Sequence, residues 1–176
     1  MQDRCMLIGE SIRNIPLHKK NLDLGTKEIF LSNLVLISQE DAQILEVNEE
    51  FTLMNWGNAI VKEKIEEKGI VKTMKFLLNL NGDYKTTKNK ITWISKKGSS
   101  FVKFYEYGNL QNESASEDLV EKFNKESKKE EWWIAEGAIS KTKVNDFVQI
   151  ERIGFFRCDK SMEFNLIPFT KQKRKI

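Results

Sequence analysis

The chain has 176 residues, of which 40% are hydrophobic, and a formal net charge of +3. This length allows one sizeable hydrophobic core or two small ones, and the small net charge excludes a generally basic protein that coats RNA. No apolar run approaches the roughly 20 residues of a membrane span, and Met1 opens no signal peptide, so we expect no membrane association. Two distant cysteines, Cys5 and Cys158, and one histidine predict free buried thiols in a reducing cytoplasm and no metal site.

In chain order, alternating apolar residues predict a series of short strands. They are expected at residues 4–8, 28–37 (with a turn near Ser32), 51–54, 60–75, 76–80, 91–94, 101–105, 143–158 and 164–169. Residues 39–47 read as a polar connection. Residues 60–75 fit a hairpin that turns at Glu67-Lys68-Gly69, although helical periodicity is also possible there. Asn81-Gly82 predicts a two-residue hairpin turn, and Ile153-Gly154 predicts another turn.

One helix is predicted at Glu117–Trp133, where Val120 and Phe123 stand three residues apart on an otherwise charged segment. Many short strands separated by turn signals indicate a mainly β protein with β-barrels and one or two short helices. The same pattern is equally compatible with one large β-sandwich.

The central strand, Phe51–Met54, runs into Asn55-Trp56-Gly57-Asn58. Gly57 permits a sharp bend or a close approach of another segment. Asparagine amides can read base edges and an indole can stack on a base, so the cluster suits unpaired nucleotides. A β-turn with its tryptophan in the core is the alternative.

Charge is distributed unevenly along the chain. Five lysines and no acid lie between Tyr84 and Gly98, residues 171–175 are basic, and residues 113–131 are rich in acids. Such asymmetry can orient a polyanion, and solvated loops are the alternative. A single histidine, no glycine-rich phosphate cradle and no nucleophile–base set predict that the chain catalyses nothing and holds no cofactor.

Several motifs resemble the anticodon-binding region of glutamyl-tRNA synthetases of the eukaryotic and archaeal type. They comprise His18-Lys19-Lys20-Asn21, Leu24-Gly25-Thr26-Lys27, Met54-Asn55-Trp56-Gly57-Asn58-Ala59, Leu78-Asn79-Leu80, Asp83-Tyr84-Lys85-Thr86-Thr87-Lys88, Ile91-Thr92-Trp93-Ile94 and Val148–Phe156. The matches fall in order from about Arg4 to Pro168 and together are specific. Leu22, where relatives usually have proline, departs from the family, and residues 101–113 are only faintly similar.

The resemblance implies two β-barrels of the glutaminyl-tRNA synthetase anticodon-binding type. Residues 1–62 plus 140–176 would form the proximal barrel and residues 63–139 the distal barrel. The chain is too short for a complete synthetase, so the catalytic domain that uses ATP and Mg²⁺ to attach glutamate would lie outside it. The implied partners are the tRNA for glutamate, that catalytic domain, and other synthetases or scaffold proteins in the cytoplasm.

Carried over position by position, the resemblance implies a set of residues that bind the anticodon: Arg4, Asn55, Trp56, Asn58, Lys62, Lys64, Gln149 and Arg152. Gln149 and Arg152 stand where glutaminyl enzymes place base-contacting residues. Three positions apart on a straight strand, they would face opposite ways. Both can serve one RNA loop if the hairpin twists or if Arg152 lies at its tip.

Two rival functions remain open from the sequence. One is a glutaminyl-type anticodon-binding domain, against which the Asn-Trp-Gly-Asn motif argues. The other is a non-catalytic β-barrel that binds proteins and has no role in tRNA recognition. A salt bridge from Arg152 to Glu151 or another neighbour is likewise the alternative to its contact with RNA.

Overall fold

The computed structural model describes residues 10–111 and 122–168, which are mainly β. The strands are β1 Ser11–Pro16, β2 Thr26–Leu31, β3 Val35–Leu36, β4 Glu50–Leu53, β5 Gly57–Glu67, β6 Ile70–Asn79, β7 Lys90–Ile91, β8 Ile94–Ser95, β9 Ser100–Tyr107, β10 Lys128–Ala135, β11 Phe147–Ile150, β12 Gly154–Lys160 and β13 Glu163–Leu166. The helices are α1 Gln39–Ile44 and the 3-10 turns Leu22–Leu24 and Gly137–Lys141. In these ranges no helix is long and apolar enough to cross a membrane.

The mainly β class predicted from the sequence is confirmed. The chain divides into two compact units, Met1–Ser99 and Ser100–Ile176. The domain borders implied by the resemblance lie inside β5 and inside the 3-10 helix Gly137–Lys141, and they stay predictions. The grouping of the two chain ends into a proximal barrel, and the closure of the sheets into barrels, stay predictions.

The first unit is built on a four-stranded sheet in the order β6-β5-β4-β7, beside the two-stranded ribbons β1–β2 and β3–β8. β4 pairs antiparallel with β5 and parallel with β7. Inward-facing side chains of this unit form one apolar core: Leu31, Leu45, Phe51, Leu53, Trp56, Ala59, Val61 and Ile91. The predicted central strand is therefore present as β4. Its apolar residues Phe51 and Leu53 are buried, and Thr52 between them is buried as well.

The long hairpin predicted at residues 60–75 is present as β5 and β6. Lys68 and Gly69 have φ values of 50° and 75°, which is the left-handed pair that a tight hairpin turn with the right twist requires. Glycine adopts this conformation at no steric cost, so Gly69 marks the turn. The hairpin reading, and not the helical one, is confirmed here.

The hairpin turn predicted at Asn81-Gly82 is wrong. β6 ends at Asn79, and no later strand in the described part of the chain pairs with it. A Cβ on Gly82 would lie 2.5 Å from Glu50 Oε1 and 2.6 Å from Asn58 Nδ2. Gly82 therefore lets the chain pass close against β4 and β5 on its way to β7, a long-range contact that the local dipeptide signal does not contain.

Helix α1 replaces the polar connection predicted at residues 39–47. The Ser38 hydroxyl caps it by accepting a hydrogen bond from the Asp41 backbone N–H at 3.1 Å, which satisfies one of the orphan donors at a helix start. The Gln39 amide then bridges to β6, because its Nε2 donates to Val71 O at 2.6 Å and its Oε1 accepts from Val71 N at 3.1 Å. The spacing Ser38-x-x-Asp41 is a capping signal that was present in the sequence.

The second unit is built on a five-stranded sheet in the order β10-β9-β13-β12-β11. β13 runs parallel to β9 and antiparallel to β12, so strands distant in sequence become neighbours. One face of the sheet buries the second core: Val102, Phe104, Ala135, Ile139, Phe156, Cys158 and Phe164. Cys158 is a free thiol in this core, as predicted, and its burial raises the pKa of the thiol.

The helix predicted at Glu117–Trp133 is wrong over its described C-terminal part, because β10 begins at Lys128. The segment pairs antiparallel with β9, placing Trp132 opposite Lys103 and Trp133 opposite Val102. Adjacent tryptophans on opposite faces of a strand, one outward and one against the core, explain the Trp-Trp pair. Residues 117–121, the predicted strand 4–8 and Cys5 lie outside the described residues.

Candidate nucleic-acid interface

The turn between β4 and β5 presents Asn55 at the surface. Asn55 is exposed, and its φ of 64° places it in the left-handed region that asparagine tolerates better than most residues. Arg13 Nη1 donates to Asn55 O at 2.8 Å and to Trp56 O at 3.3 Å, which fixes the turn from β1. The backbone of Asn55 is therefore held in place while its amide faces solvent.

Trp56 faces the core of the first unit. Its exposed fraction is 8%, and its ring centroid lies 4.8 Å from that of Trp93 with the planes tilted by 44°. Trp93 in turn donates from Nε1 to Met54 O at 2.8 Å. The indole pair packs beneath the turn, so the β-turn with its tryptophan in the core, which was the alternative for this motif, is the arrangement observed.

Asn58 is 1% exposed. Its Oδ1 accepts from the Thr52 hydroxyl at 2.9 Å, and its Nδ2 donates to Glu50 Oε1 at 3.2 Å. Both ends of the amide are therefore engaged within the protein, and satisfied polar groups of this kind fix one arrangement of neighbouring strands. Of the three motif residues predicted to contact RNA, Asn55 alone presents its side chain to solvent.

Lys64 and Lys62 differ in what they contact. Lys64 Nζ donates to Gln43 O at 2.9 Å and Leu45 O at 3.1 Å, and so caps the C-terminal end of α1, where a cation interacts favourably with the free carbonyls. Lys62 is exposed and is the extra residue of a β-bulge, because Val61 pairs with Phe76 and Glu63 with Lys75. A bulge re-aims its side chain away from the regular pleat.

Gln149 lies on β11, at an edge of the five-stranded sheet, and is exposed. Val148 and Ile150 pack against the core, so the period of two places Gln149 on the outer face beside Phe147. The register sets Gln149 opposite Phe155 and Phe147 opposite Arg157. Gln149 thus shares the outer face with two aromatic side chains, Phe155 directly across on β12 and Phe147 two residues along β11, which are 38% and 70% exposed.

Arg152 lies at the tip of the β11–β12 hairpin, with a φ of 68°, and is exposed. Ile153 N donates to Ile150 O at 3.1 Å and closes the turn. Gln149 therefore lies within the regular strand, which ends at Ile150, while Arg152 lies beyond it in the turn. This removes the conflict that a straight strand would create. Gln149 and Arg152 are three positions apart, so the chain keeps their Cα atoms within about 10 Å of each other.

Phe147 and Phe155 are surface residues that the sequence reasoning did not single out. Aromatic rings flanking a polar side chain on an outer sheet face are typical of surfaces on which unpaired bases stack. The alternation Phe147-Val148-Gln149-Ile150 contained the signal, since it assigns Phe147 to the same face as Gln149. Arg4, the remaining predicted residue, lies outside the described residues, and contact of any of the eight with RNA stays a prediction.

Comparison with known proteins gives two family matches along the chain. Residues 8–79 match one model described as tRNA synthetases class I (E and Q), anti-codon binding domain, and residues 90–159 match a second model with the same description. These two segments fall one in each compact unit, apart from the short stretch 90–99, which belongs to the first unit.

Similar proteins are named as ligases. A probable cytoplasmic glutamate–tRNA ligase of Encephalitozoon cuniculi is 55% identical over 166 residues, covering 94% of this chain and 26% of that protein. The cytoplasmic glutamate–tRNA ligase of Arabidopsis thaliana is 35% identical over 94% of this chain and 23% of its own length. A bifunctional glutamate/proline–tRNA ligase of Mus musculus is 33% identical over 88% of this chain and 11% of its own length. The chain spans about a quarter or less of these curated relatives.

Proposed function

Because this chain belongs to the anticodon-binding domains of the class I tRNA synthetases for glutamate and glutamine, we propose that it recognises the anticodon of the tRNA for glutamate. The observation that carries the proposal is the agreement of both family matches with relatives named as glutamate–tRNA ligases. The choice of the glutamate tRNA over the glutamine tRNA rests on those relatives and on the Asn-Trp-Gly-Asn motif.

The β11–β12 hairpin offers the chemistry that such recognition needs. A glutamine amide carries two donors and one acceptor, which suit the Watson–Crick edge of an unstacked base. Phe147 and Phe155 supply apolar aromatic surface on the same sheet face as Gln149, and the guanidinium of Arg152 can bind a base edge or a phosphate. Sequence is read by base contacts, while phosphate contacts set position. We assign Gln149 to reading and Arg152 to either role.

The aminoacylation itself belongs to a catalytic domain outside this chain. The chain spans about 26% of its Encephalitozoon relative, so attachment of glutamate with ATP and Mg²⁺ would be performed by the remaining part of such a protein. We propose that the domain works in the cytoplasm, since its relatives are named cytoplasmic ligases. Further synthetases as partners are supported by the bifunctional mouse relative alone.

A gel-shift titration of the 176-residue chain tests the proposal. Three RNAs are compared at one salt concentration: the tRNA for glutamate, the same tRNA with its middle anticodon base changed, and the tRNA for glutamine. Tightest binding to the unchanged glutamate tRNA is expected. Equal affinity for all three RNAs, or tight salt-insensitive binding to a protein with no RNA shift, would remove the anticodon function. Preference for the glutamine tRNA would instead select the glutaminyl-type alternative.

A further inference from the structure

Residues 83–88, which we call the lysine loop, form a short rigid connection on the first unit. Lys85 and Lys88 are exposed, whereas Thr87 between them is only 6% exposed. After Asp83, the acid at its start, the loop opens the stretch Tyr84–Gly98, which contains five lysines and no acid. A buried threonine between two exposed lysines shows that the loop has a fixed inner and outer side.

The inner side is anchored by a chain of hydroxyl hydrogen bonds. The Thr87 and Thr52 hydroxyls lie 2.6 Å apart, and the Thr52 hydroxyl donates to Asn58 Oδ1 at 2.9 Å. The Thr87 hydroxyl also lies 3.0 Å from Tyr84 O, a second acceptor for its proton. Each hydroxyl carries one proton, so while Thr52 donates to Asn58 Oδ1, Thr87 donates either to the Thr52 hydroxyl or to Tyr84 O. The loop is thereby tied to the two strands that carry the Asn55 turn.

Both ends of the loop are also held. Before the loop, the Leu80 side chain packs against Gly57, the residue that follows Trp56. A Cβ on Gly57 would lie 2.8 Å from Leu80 Cδ2. After it, Asn89 O accepts from Thr52 N at 2.9 Å. Within the loop, Asp83 Oδ1 accepts from Lys85 N at 2.9 Å, a local turn that fixes the backbone. The lysine loop is thus tied to β4 and β5 at Thr52 and Asn58, a residue pair one step from the Asn55 turn.

The charges on the outer side are not neutralised by neighbours. Lys85 and Lys88 form no ion pair among the described residues, whereas Lys97 pairs with Glu10 and Lys90 donates to Thr87 O. The acids close to the loop accept hydrogen bonds from other groups: Asp83 Oδ1 from Lys85 N, Glu50 Oε1 from the amides of Asn58 and Asn79, and Glu49 Oε1 from the amide of Asn89. Two ammonium groups therefore remain available to an anion.

We propose that Lys85 and Lys88 of the lysine loop bind phosphates of the RNA backbone next to the nucleotides that meet the Asn55 turn. The proposal rests on the proposed tRNA function and adds to it a contact that positions the RNA without reading its sequence. A loop already ordered by buried hydrogen bonds loses little further entropy on binding, so its ammonium groups contribute to affinity at low cost. Positive charge without a paired acid favours a polyanion over an apolar or basic partner.

The test replaces both lysines, Lys85→Gln with Lys88→Gln, in the full 176-residue chain. The matched control is Lys68→Gln with Lys72→Gln, which removes the same charge at the far end of the β5–β6 hairpin, roughly 30 Å along the strands. Dissociation constants for the glutamate tRNA and for its middle-base variant are measured from about 50 mM to 1 M salt.

Loss of two phosphate contacts lowers the slope of log Kd against log salt by about 1.4 to 1.8. Affinity should fall by roughly 25- to 60-fold at 0.1 M salt, equally for both RNAs, and the difference should vanish near 1 M. The control pair should retain the wild-type slope. The phosphate contact is refuted, and the proposed function stands, if the wild type discriminates the two RNAs but the loop variant has the same salt slope as the wild type or the same affinity as the control pair. If the wild type binds neither RNA, both proposals fall.

Discussion

Gln149 lies directly opposite Phe155 in the antiparallel register of β11 and β12, and both side chains are exposed on the outer face of the sheet. This pairing places an amide that can form hydrogen bonds beside an aromatic face. A strand edge that reads bases needs both, because stacking supplies affinity for any base and the amide supplies the choice among bases. The relationship depends on the register of two strands and involves no unusual backbone.

Trp56 should stabilise the fold without reading RNA. Replacing it by alanine removes a buried ring packed on Trp93 and should lower the free energy of unfolding by about 3–5 kcal/mol. Urea denaturation measures this loss, and Tyr84→Ala is the control, because Tyr84 is 58% exposed and should change stability by about 0.5 kcal/mol or less.

Trp56→Phe provides the matching test of binding, since a smaller ring keeps the protein folded. The variant should discriminate anticodon variants as well as the wild type does. Unchanged stability together with lost discrimination would instead assign the indole to the RNA.

Substitution of Lys64 should lower the stability of the protein, whereas substitution of Lys62 should leave it nearly unchanged. Lys64→Met removes the two hydrogen bonds that cap α1 while retaining the aliphatic stem, and should destabilise the protein by about 1–2 kcal/mol. Lys62→Met removes an exposed lysine of the bulge and should change stability by about 0.5 kcal/mol or less. Both values come from urea denaturation at neutral pH. Equal losses in the two variants would argue against the capping role.

The ion pair between Lys103 and Glu130 should make part of the stability depend on pH. The two groups lie 2.6 Å apart on the outer face of the second unit, and the Lys103 hydrogen bond lowers the pKa of Glu130 below 4.5. A lowered carboxyl pKa contributes stability that is present above the unfolded value and is lost as pH falls through the folded value. The same hydrogen bond raises the pKa of Lys103 above its ordinary value of 10.5. The stability that Lys103 contributes is therefore lost only at strongly alkaline pH.

The measurement is the stability of the wild type relative to Glu130→Gln, followed from pH 7 to pH 3. The wild-type advantage should shrink below about pH 4.5, where the carboxyl becomes protonated. Glu126→Gln, at an exposed acid of the same unit, is the control and should show no such convergence. A wild-type advantage that stays constant down to pH 3 would contradict the linkage.

Local signals predicted the local features of the fold. Gly69 marked the β5–β6 turn because glycine adopts positive φ at no steric cost, and Ile153-Gly154 lies at the end of a real hairpin. The parallel pairing of β13 with β9 joins residues about 60 positions apart, and no local period encodes it. Trp132-Trp133 was misread because two adjacent apolar residues fit a helix face as well as the two faces of a strand.

The candidate site was predictable to a similar extent. Gln149 and Arg152 are exposed on one hairpin, as recognition of RNA requires. The role of Asn58 could not be read from the motif, because its partners Thr52 and Glu50 become neighbours only when β4 and β5 pair. Residue type indicated which side chains could contact a base, and tertiary burial decided which of them face solvent.

The most direct measurement is the ratio of dissociation constants for the middle-base variant and the unchanged glutamate tRNA, determined for the wild type and for Gln149→Ala. If Gln149 reads a base, the alanine variant should lose roughly 1–3 kcal/mol of binding to the unchanged tRNA, and the ratio should fall towards one. An unchanged ratio, with both RNAs bound equally more weakly, would show that Gln149 does not read the middle base of the anticodon.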